Sequence, residues 1–262
     1  MTTATLLAVD NLVCDLDGVV YRGGRGVPGV GRVLEAAADA GVHILFATNN
    51  STATPGRVAA KIASSTGFRA RADQVVTSSI AAADLVRDEA GPALVVGEPG
   101  IERALAGVGI GVTDTPERAG LVVVGLDRRL TYDRLRLAAA AIFAGARFVA
   151  TNTDASFPVE DGLWPGGGAI VAALERATGR DAEVAGKPNA PMREALERRL
   201  GPGRTAVVGD RPETDLALGI AAGWERVLVL TGVVDNPEAV PREMTPDVVV
   251  PSLADLTVRP PA

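Results

Sequence analysis

Short runs of apolar, largely β-branched residues alternate along the chain with stretches in which Ala, Leu and Arg recur at helical spacing. The runs predict strands at 12–16, 42–48, 75–79, 93–97, 121–126, 147–151, 205–209 and 226–231. The helical patterns fall between them, at 31–40, 54–65, 132–144, 169–178 and 191–200. Strands that are apolar throughout, each followed by a helix, predict an α/β fold: a Rossmann-like parallel sheet with helices on both faces. There are too many such units for one small sheet.

Polar residues are not spread evenly over the predicted strand ends. They concentrate in 15–21, 48–52, 186–189 and 209–215, and the middle of the chain has no such turn. Ligand sites in open α/β sheets form beyond the carboxyl ends of strands, so these turns are expected to converge on one crevice. Residues 1–79 and 184–262 then make up a catalytic core, and 80–183 an inserted α/β domain. The closing "VRPPA" reads as a frayed end.

Composition narrows the chemistry. With 262 residues, 47% of them hydrophobic, the chain can bury substantial cores. A net charge of −6 argues against nucleic acid or an anionic membrane as partner, and leaves room for a small phosphorylated metabolite if positive charge is supplied locally. The single cysteine, Cys14, cannot form an internal disulfide, and the N-terminus shows neither a signal peptide nor a long apolar run, which reads as a cytoplasmic protein. A phosphatase cysteine needs an anion cradle; "CDLDGVVY" surrounds Cys14 with carboxylates, so it reads as core filler. His43 is the only histidine and lies within a predicted strand, which excludes Cys/His zinc clusters and multi-histidine hydrolases.

The four polar turns carry the candidate chemistry. Asp15 and Asp17 stand at i and i+2 and would face the same side of an extended backbone. Two anions so close do not both ionise cheaply without a cation, and one can attack an electrophile while the other gives or takes a proton. The plainer reading is an acidic strand end that caps the next turn. In "ATNNST" five polar residues, Thr48 to Thr52, offer hydroxyls, amides and open N–H groups for an anion; a helix cap at Ser51 or Thr52 accounts for only one of them. Among 26 basic residues only Lys61 and Lys187 are lysines. Lys187, in "AGKPNAP", suits a phosphoryl oxygen beside carboxylates, whereas Lys61 sits in a helical pattern and reads as a solvated face. Asp210 follows an apolar strand, and a Mg2+ ion wants few carboxylates, several waters and phosphate oxygens. Asp215 has the alternative of a charge favoured by a helix N-terminus.

Taken in order, "DLDGVVY", Thr48 of "ATNNS", Lys187 of "GKP" and "GDRPETD" resemble the four motifs of haloacid dehalogenase (HAD) superfamily phosphatases. The "TNN" form of the second motif, the "LWPGGGAIVAAL" segment and the position of the insert are similar to the NagD-like subclass IIA, which includes phosphoglycolate and glycerol-phosphate phosphatases. The resemblance implies an inserted cap domain of C2 type. It also implies Asp15 as the nucleophile of an aspartyl-phosphate intermediate, with Asp17 as general acid and base. Magnesium would be held by Asp15, the Asp17 backbone carbonyl and Asp210, with Asp215 orienting the site from behind. Thr48 and Lys187, helped by Asn49, would grip the phosphoryl oxygens. A homodimer through the cap is implied too. Dehalogenating relatives lack the second aspartate, so Asp17 favours phosphate chemistry.

Alternatives fit less well. "GRGVPG" has the glycine spacing of a dinucleotide fingerprint but lies well past its strand, and Lys187 is followed by proline where a P-loop needs Ser or Thr. A non-catalytic phosphosugar-binding protein on the same scaffold is opposed by the intact Asp15 and Asp17. Within the insert, Asn152 and Asp154 are candidates to face the substrate or simply to form a polar turn, and Trp164 reads as cap core or hinge packing. With aromatics at 3%, a stacking pocket for a nucleobase is not suggested. A three-carbon or sugar phosphate is therefore favoured over UMP or pyridoxal phosphate.

Overall fold

The computed structural model describes residues 4–159 and 162–261. The chain divides into two compact units, the first formed by residues 4–48, 55–76 and 196–261 and the second by 49–54 and 77–195. In chain order the principal strands are β1 (Asn11–Cys14), β2 (His43–Thr48), β3 (Val75–Thr77), β4 (Ala93–Val96), β5 (Leu121–Val124), β6 (Arg147–Ala150), β7 (Glu183–Val184), β8 (Thr205–Gly209), β9 (Glu225–Val229) and β10 (Val248–Val250). The helices are α1 (Val30–Asp39), α2 (Pro55–Thr66), α3 (Ser78–Leu85), α4 (Pro99–Gly107), α5 (Tyr132–Phe143), α6 (Gly167–Thr178), α7 (Ala190–Glu197) and α8 (Ala217–Ala222).

The six-stranded sheet has the order β10-β9-β8-β1-β2-β3. From β10 to β2 each neighbouring pair is parallel. Its centre is the strand predicted around 12–16: Leu12, Val13 and Cys14 are fully buried, as a strand covered on both faces must be. α1 buries Val30, Leu34 and Ala37, spaced one helical turn apart, and exposes Arg32, Glu35 and Asp39. The second unit holds a four-stranded parallel sheet, β7-β6-β5-β4. Its core joins Val96, Val122 and Val124 of the sheet to Ile142 of α5 and to Val171 and Leu174 of α6.

All the predicted strands and helices have counterparts, with ends displaced by a few residues. The strand predicted at 12–16 ends at Cys14, just before the acidic turn, and that at 75–79 stops at Thr77, whose side chain accepts the Ile80 N–H and caps α3. The tail corrects an expectation. Leu256–Arg259 is a strand paired in parallel with Thr5–Ala8, and its inward residues Leu256 and Val258 are buried while Thr257 and Arg259 are exposed. That alternation, not the following prolines, decides its state.

Candidate active site

In the first unit, Cys14 pairs with Val208 of β8 on one side and with Phe46 of β2 on the other. The register brings Asp15, Thr48 and Asp210 out side by side at the carboxyl ends of three adjacent strands. Asp15 extends the ladder by one bond, its N–H donating to the Val208 carbonyl at 2.9 Å. The chain then turns sharply, with the Leu16 carbonyl accepting the N–H groups of Val20 and Tyr21, and with Gly18 at φ 94°. A side chain at Gly18 would be strained by that φ, and its Cβ would lie 2.6 Å from Asp210 Oδ2. His43 opens β2 at its exposed, opposite end, away from these carboxylates.

Asp15, Asp210 and Asp215 are buried, and each offers an oxygen within 4.8 Å of the others. Two of the three are fixed by backbone. Asp215, on the π-helical turn Pro212–Leu216, accepts the N–H groups of Asp210 (3.2 Å) and Arg211 (3.1 Å) through Oδ2. Asp210 Oδ2 accepts the Val233 N–H at 2.6 Å. Glycine is required at 209 and 232, because a Cβ there would overlap the Asp215 and Asp210 carboxyl groups respectively. Three carboxylates at this spacing repel one another, and a donor set made of hard oxygens alone, without nitrogen or sulfur, fits a hard divalent cation of the magnesium type.

Asp17 stands outside this trio, half-exposed. Lys61 Nζ lies 3.9 Å from its Oδ1 and 3.7 Å from the ring centroid of Tyr21. The expectation of a solvated helix face for Lys61 is thus corrected: it stands one turn beyond the buried Val58 of α2, and its stem carries the ammonium to Tyr21 and the acidic turn. Burial pushes the Lys61 ammonium below its ordinary value, and Asp17 works in the opposite direction.

The remaining candidates gather in the second unit, which takes in the 49–54 turn and "GKPN" along with the insert. Asn49, the residue after Thr48, holds them together. Its Oδ1 accepts the Lys187 N–H at 2.8 Å, and its Nδ2 donates to the Lys187 carbonyl (3.3 Å) and to Asp154 Oδ1 (3.2 Å). Its carbonyl accepts from Ser78 Oγ at 2.6 Å and from Asn152 Nδ2 at 2.7 Å. Asn152 completes the frame by accepting the Asp154 N–H at 3.1 Å. Lys187 is 5% exposed, and a Cβ at Gly186 would come within 2.6 Å of Asn49 Oδ1. Asn50 makes a local turn, its Oδ1 accepting the Thr52 N–H and hydroxyl. The role of Ser78 was not visible in sequence, where it read as the end of a strand.

Trp164 also departs from expectation. It belongs to the hairpin Ser156–Val159/Gly162–Pro165, remains 46% exposed, and meets Phe157 edge to face at 6.3 Å. The glycines after it serve close approach: a Cβ at Gly166 or Gly168 would strike the Asp154 or Thr153 carbonyl.

The haloacid dehalogenase-like hydrolase family model matches residues 12–111, and a second, HAD-hydrolase-like model matches 184–256. The chain belongs to the haloacid dehalogenase-like hydrolases. Similar members include the 5'-nucleotidase YutF of Bacillus subtilis, 40% identical over 84% of this chain and 86% of that protein. The dihydroxyacetone phosphatase of Corynebacterium glutamicum is 35% identical over 92% of this chain and 88% of its own length. Among solved structures, the glycerol phosphate phosphatase Rv1692 of Mycobacterium tuberculosis in complex with magnesium superposes with a TM-score of 0.85. It is 38% identical, over 94% of this chain and 75% of that one. The mixed α/β fold built on parallel sheets is therefore this hydrolase family's fold.

Proposed function

We propose that this HAD-like hydrolase is a magnesium-dependent phosphatase of small phosphate monoesters, acting through an aspartyl-phosphate on Asp15. The observation that carries the reading is the meeting of Asp15 and Asp210, at the carboxyl ends of adjacent strands, with Asp215 of the π-helical turn, and with Asp17 on the turn that follows Asp15. A carboxylate oxygen of Asp15 attacks phosphorus in line, the bond to the ester oxygen breaks, and Asp17 delivers a proton to the departing alkoxide. Asp17 then takes a proton from water as that water attacks the aspartyl-phosphate, releasing inorganic phosphate and restoring Asp15. Asp15, the Asp17 carbonyl and Asp210 would hold the magnesium ion, which would supply positive charge to offset the phosphate dianion at this acidic turn.

Thr48 and Lys187 bind the phosphoryl oxygens. Asn49 fixes the Lys187 backbone through both of its amide atoms, and Asn152 and Asp154 hold Asn49 in turn. Asp215 sets the orientation of Asp210 through that residue's N–H. Residues 80–183 form the cap that selects the leaving group, on a core of 1–79 and 184–262. A three-carbon or sugar phosphate is the preferred substrate class, supported by relatives named dihydroxyacetone phosphatase, acid sugar phosphatase and glycerol phosphate phosphatase. The relative named 5'-nucleotidase favours a second reading, a nucleotide such as UMP.

A panel of glycerol phosphate, dihydroxyacetone phosphate, phosphoglycolate, a sugar phosphate, pyridoxal phosphate and UMP, compared by kcat/KM, separates these readings. Phosphate release from the best of them, and from p-nitrophenyl phosphate, falls at least about a thousand-fold in Asp15→Asn. Binding of phosphosugars without turnover in the native protein would replace catalysis by a sensing role.

The single, buried Cys14 supports a reducing, cytoplasmic setting, and no helix among the described residues is long and apolar enough to cross a membrane. A homodimer formed through the cap is part of this proposal. Light scattering is expected to give twice the chain mass, and a one-chain mass at micromolar concentration rules the dimer out.

A further inference from the structure

We infer that Lys61 is a positioning residue for Asp17: its ammonium, seated on the Tyr21 ring, fixes the carboxyl group that serves the leaving oxygen. The inference rests on the reading of Asp17 as proton donor.

Three observations converge. The chain uses arginine for 24 of its 26 basic residues (26 − 2), so lysine at 61 is a departure from its own habit. The Lys61 ammonium has a fixed seat. It lies 3.7 Å from the Tyr21 ring centroid, Tyr21 is 3% exposed, and the Tyr21 backbone is tied into the acidic turn by its N–H to Leu16 and its carbonyl to the Gly18 N–H. Asp17 and Tyr21 are moreover bridged as a β pair, so cation, ring and carboxylate belong to one small framework.

The separation of 3.9 Å from Nζ to Asp17 Oδ1 is too long for a hydrogen bond, and the two side chains are 39% and 45% exposed. Such a pair contributes little to folding. What it can do is bias a short, half-exposed side chain toward one rotamer. An acid that must meet an ester oxygen at hydrogen-bond distance gains from that bias, because a misplacement of about 1 Å costs on the order of a hundred-fold in rate. A compact ammonium can occupy the space above a ring and still face a carboxylate edge-on, whereas a guanidinium would lie flat on the ring.

The test uses leaving groups. An alkyl phosphate needs its departing oxygen protonated; p-nitrophenyl phosphate does not. For both, kcat/KM covers steps only as far as ester cleavage, so hydrolysis of the aspartyl-phosphate does not enter. In Lys61→Met, kcat/KM is expected to fall about ten-fold on glycerol 3-phosphate or dihydroxyacetone phosphate and less than about two-fold on p-nitrophenyl phosphate, a fraction of a full general-acid contribution. The thermal midpoint should stay within a degree or so of the wild type. Lys61→Gln serves the same purpose if the methionine variant does not fold. Asp17→Asn is the reference: it should show the same selectivity at about a hundred-fold or more. Selective loss in Asp17→Asn together with equal losses, or none, in Lys61→Met overturns the role of Lys61 and leaves Asp17 in place. Absence of selectivity in Asp17→Asn itself removes the reading of Asp17, and the role of Lys61 with it.

Discussion

Cys14 and Tyr21 both stand against the acidic turn, and each is driven well above its ordinary proton affinity, first by burial and then by the neighbouring carboxylates. For Cys14 the neighbour is Asp15; for Tyr21 it is Asp17 and then Asp15. Both groups stay neutral near pH 7, so the thiol is packing and the phenol supplies a ring face without competing for protons. This leaves the carboxylates of "CDLDG" as the groups to which the proposed chemistry is assigned. Lys187 could be singled out from composition because its glycine and proline neighbours exclude a helix. Lys61 could not, because helical spacing places it near a solvated face, and what redirects it is the Tyr21 ring, brought close only by the packing of α2 on that turn.

At the scale of elements, apolar runs located strands well because burial on both faces leaves little room for polar residues, while strand ends moved wherever a side chain captured a backbone N–H. Thr77 turned the end of a predicted strand into the cap of α3, a helix too rich in buried Ala and Ser to show an amphipathic stripe. The edge of the larger sheet is held by a different device. Arg226 of β9 donates through Nε (2.8 Å) and Nη2 (2.7 Å) to the two carboxylate oxygens of Asp247, the residue that leads into β10. Backbone bonds add to this pair, from the Arg226 N–H to Asp247 Oδ2 and from the Asp247 N–H to the Arg226 carbonyl. The hydrogen bond from Arg226 lowers the Asp247 carboxyl below its ordinary value. A depressed folded pKa contributes stability that is present above the unfolded value and fades as pH falls through the folded one. Since the pair is partly open to solvent, its side chains 25% and 40% exposed, and therefore screened, Asp247→Asn is expected to cost only about 0.5–1 kcal/mol at pH 7. Urea denaturation should show that difference shrinking as pH is lowered below about 4, and a difference that persists at pH 3 would assign the cost to the backbone bonds instead.

For the whole molecule, the meeting of Asp15, Thr48 and Asp210 at one edge of the sheet was legible because their polar turns each follow an apolar run, and parallel neighbours end on the same edge. The grouping of the turns was not legible. Residues 49–54 and 184–195 cluster with the second unit, where the two atoms of one amide, on Asn49, carry bonds to Lys187 and Asp154, and no periodicity encodes such bonds. The concentration of like charge has a consequence for stability. With a net charge of −6 and three buried carboxylates sharing one small volume, the native state holds repulsion that a bound divalent cation relieves and the unfolded chain does not feel. Magnesium should therefore stabilise the native state by mass action, by about 2.7 kcal/mol at a hundred-fold excess over its dissociation constant. For a chain of this size that corresponds to a rise of several degrees in Tm, about 5–10 °C, reversed by EDTA. Asp210→Asn removes one carboxylate from the trio and should abolish most of the shift while retaining the Val233 N–H as a partner for the remaining side-chain oxygen. Calorimetry with and without magnesium decides the matter, and an equal rise in wild type and variant would place the ion outside this trio.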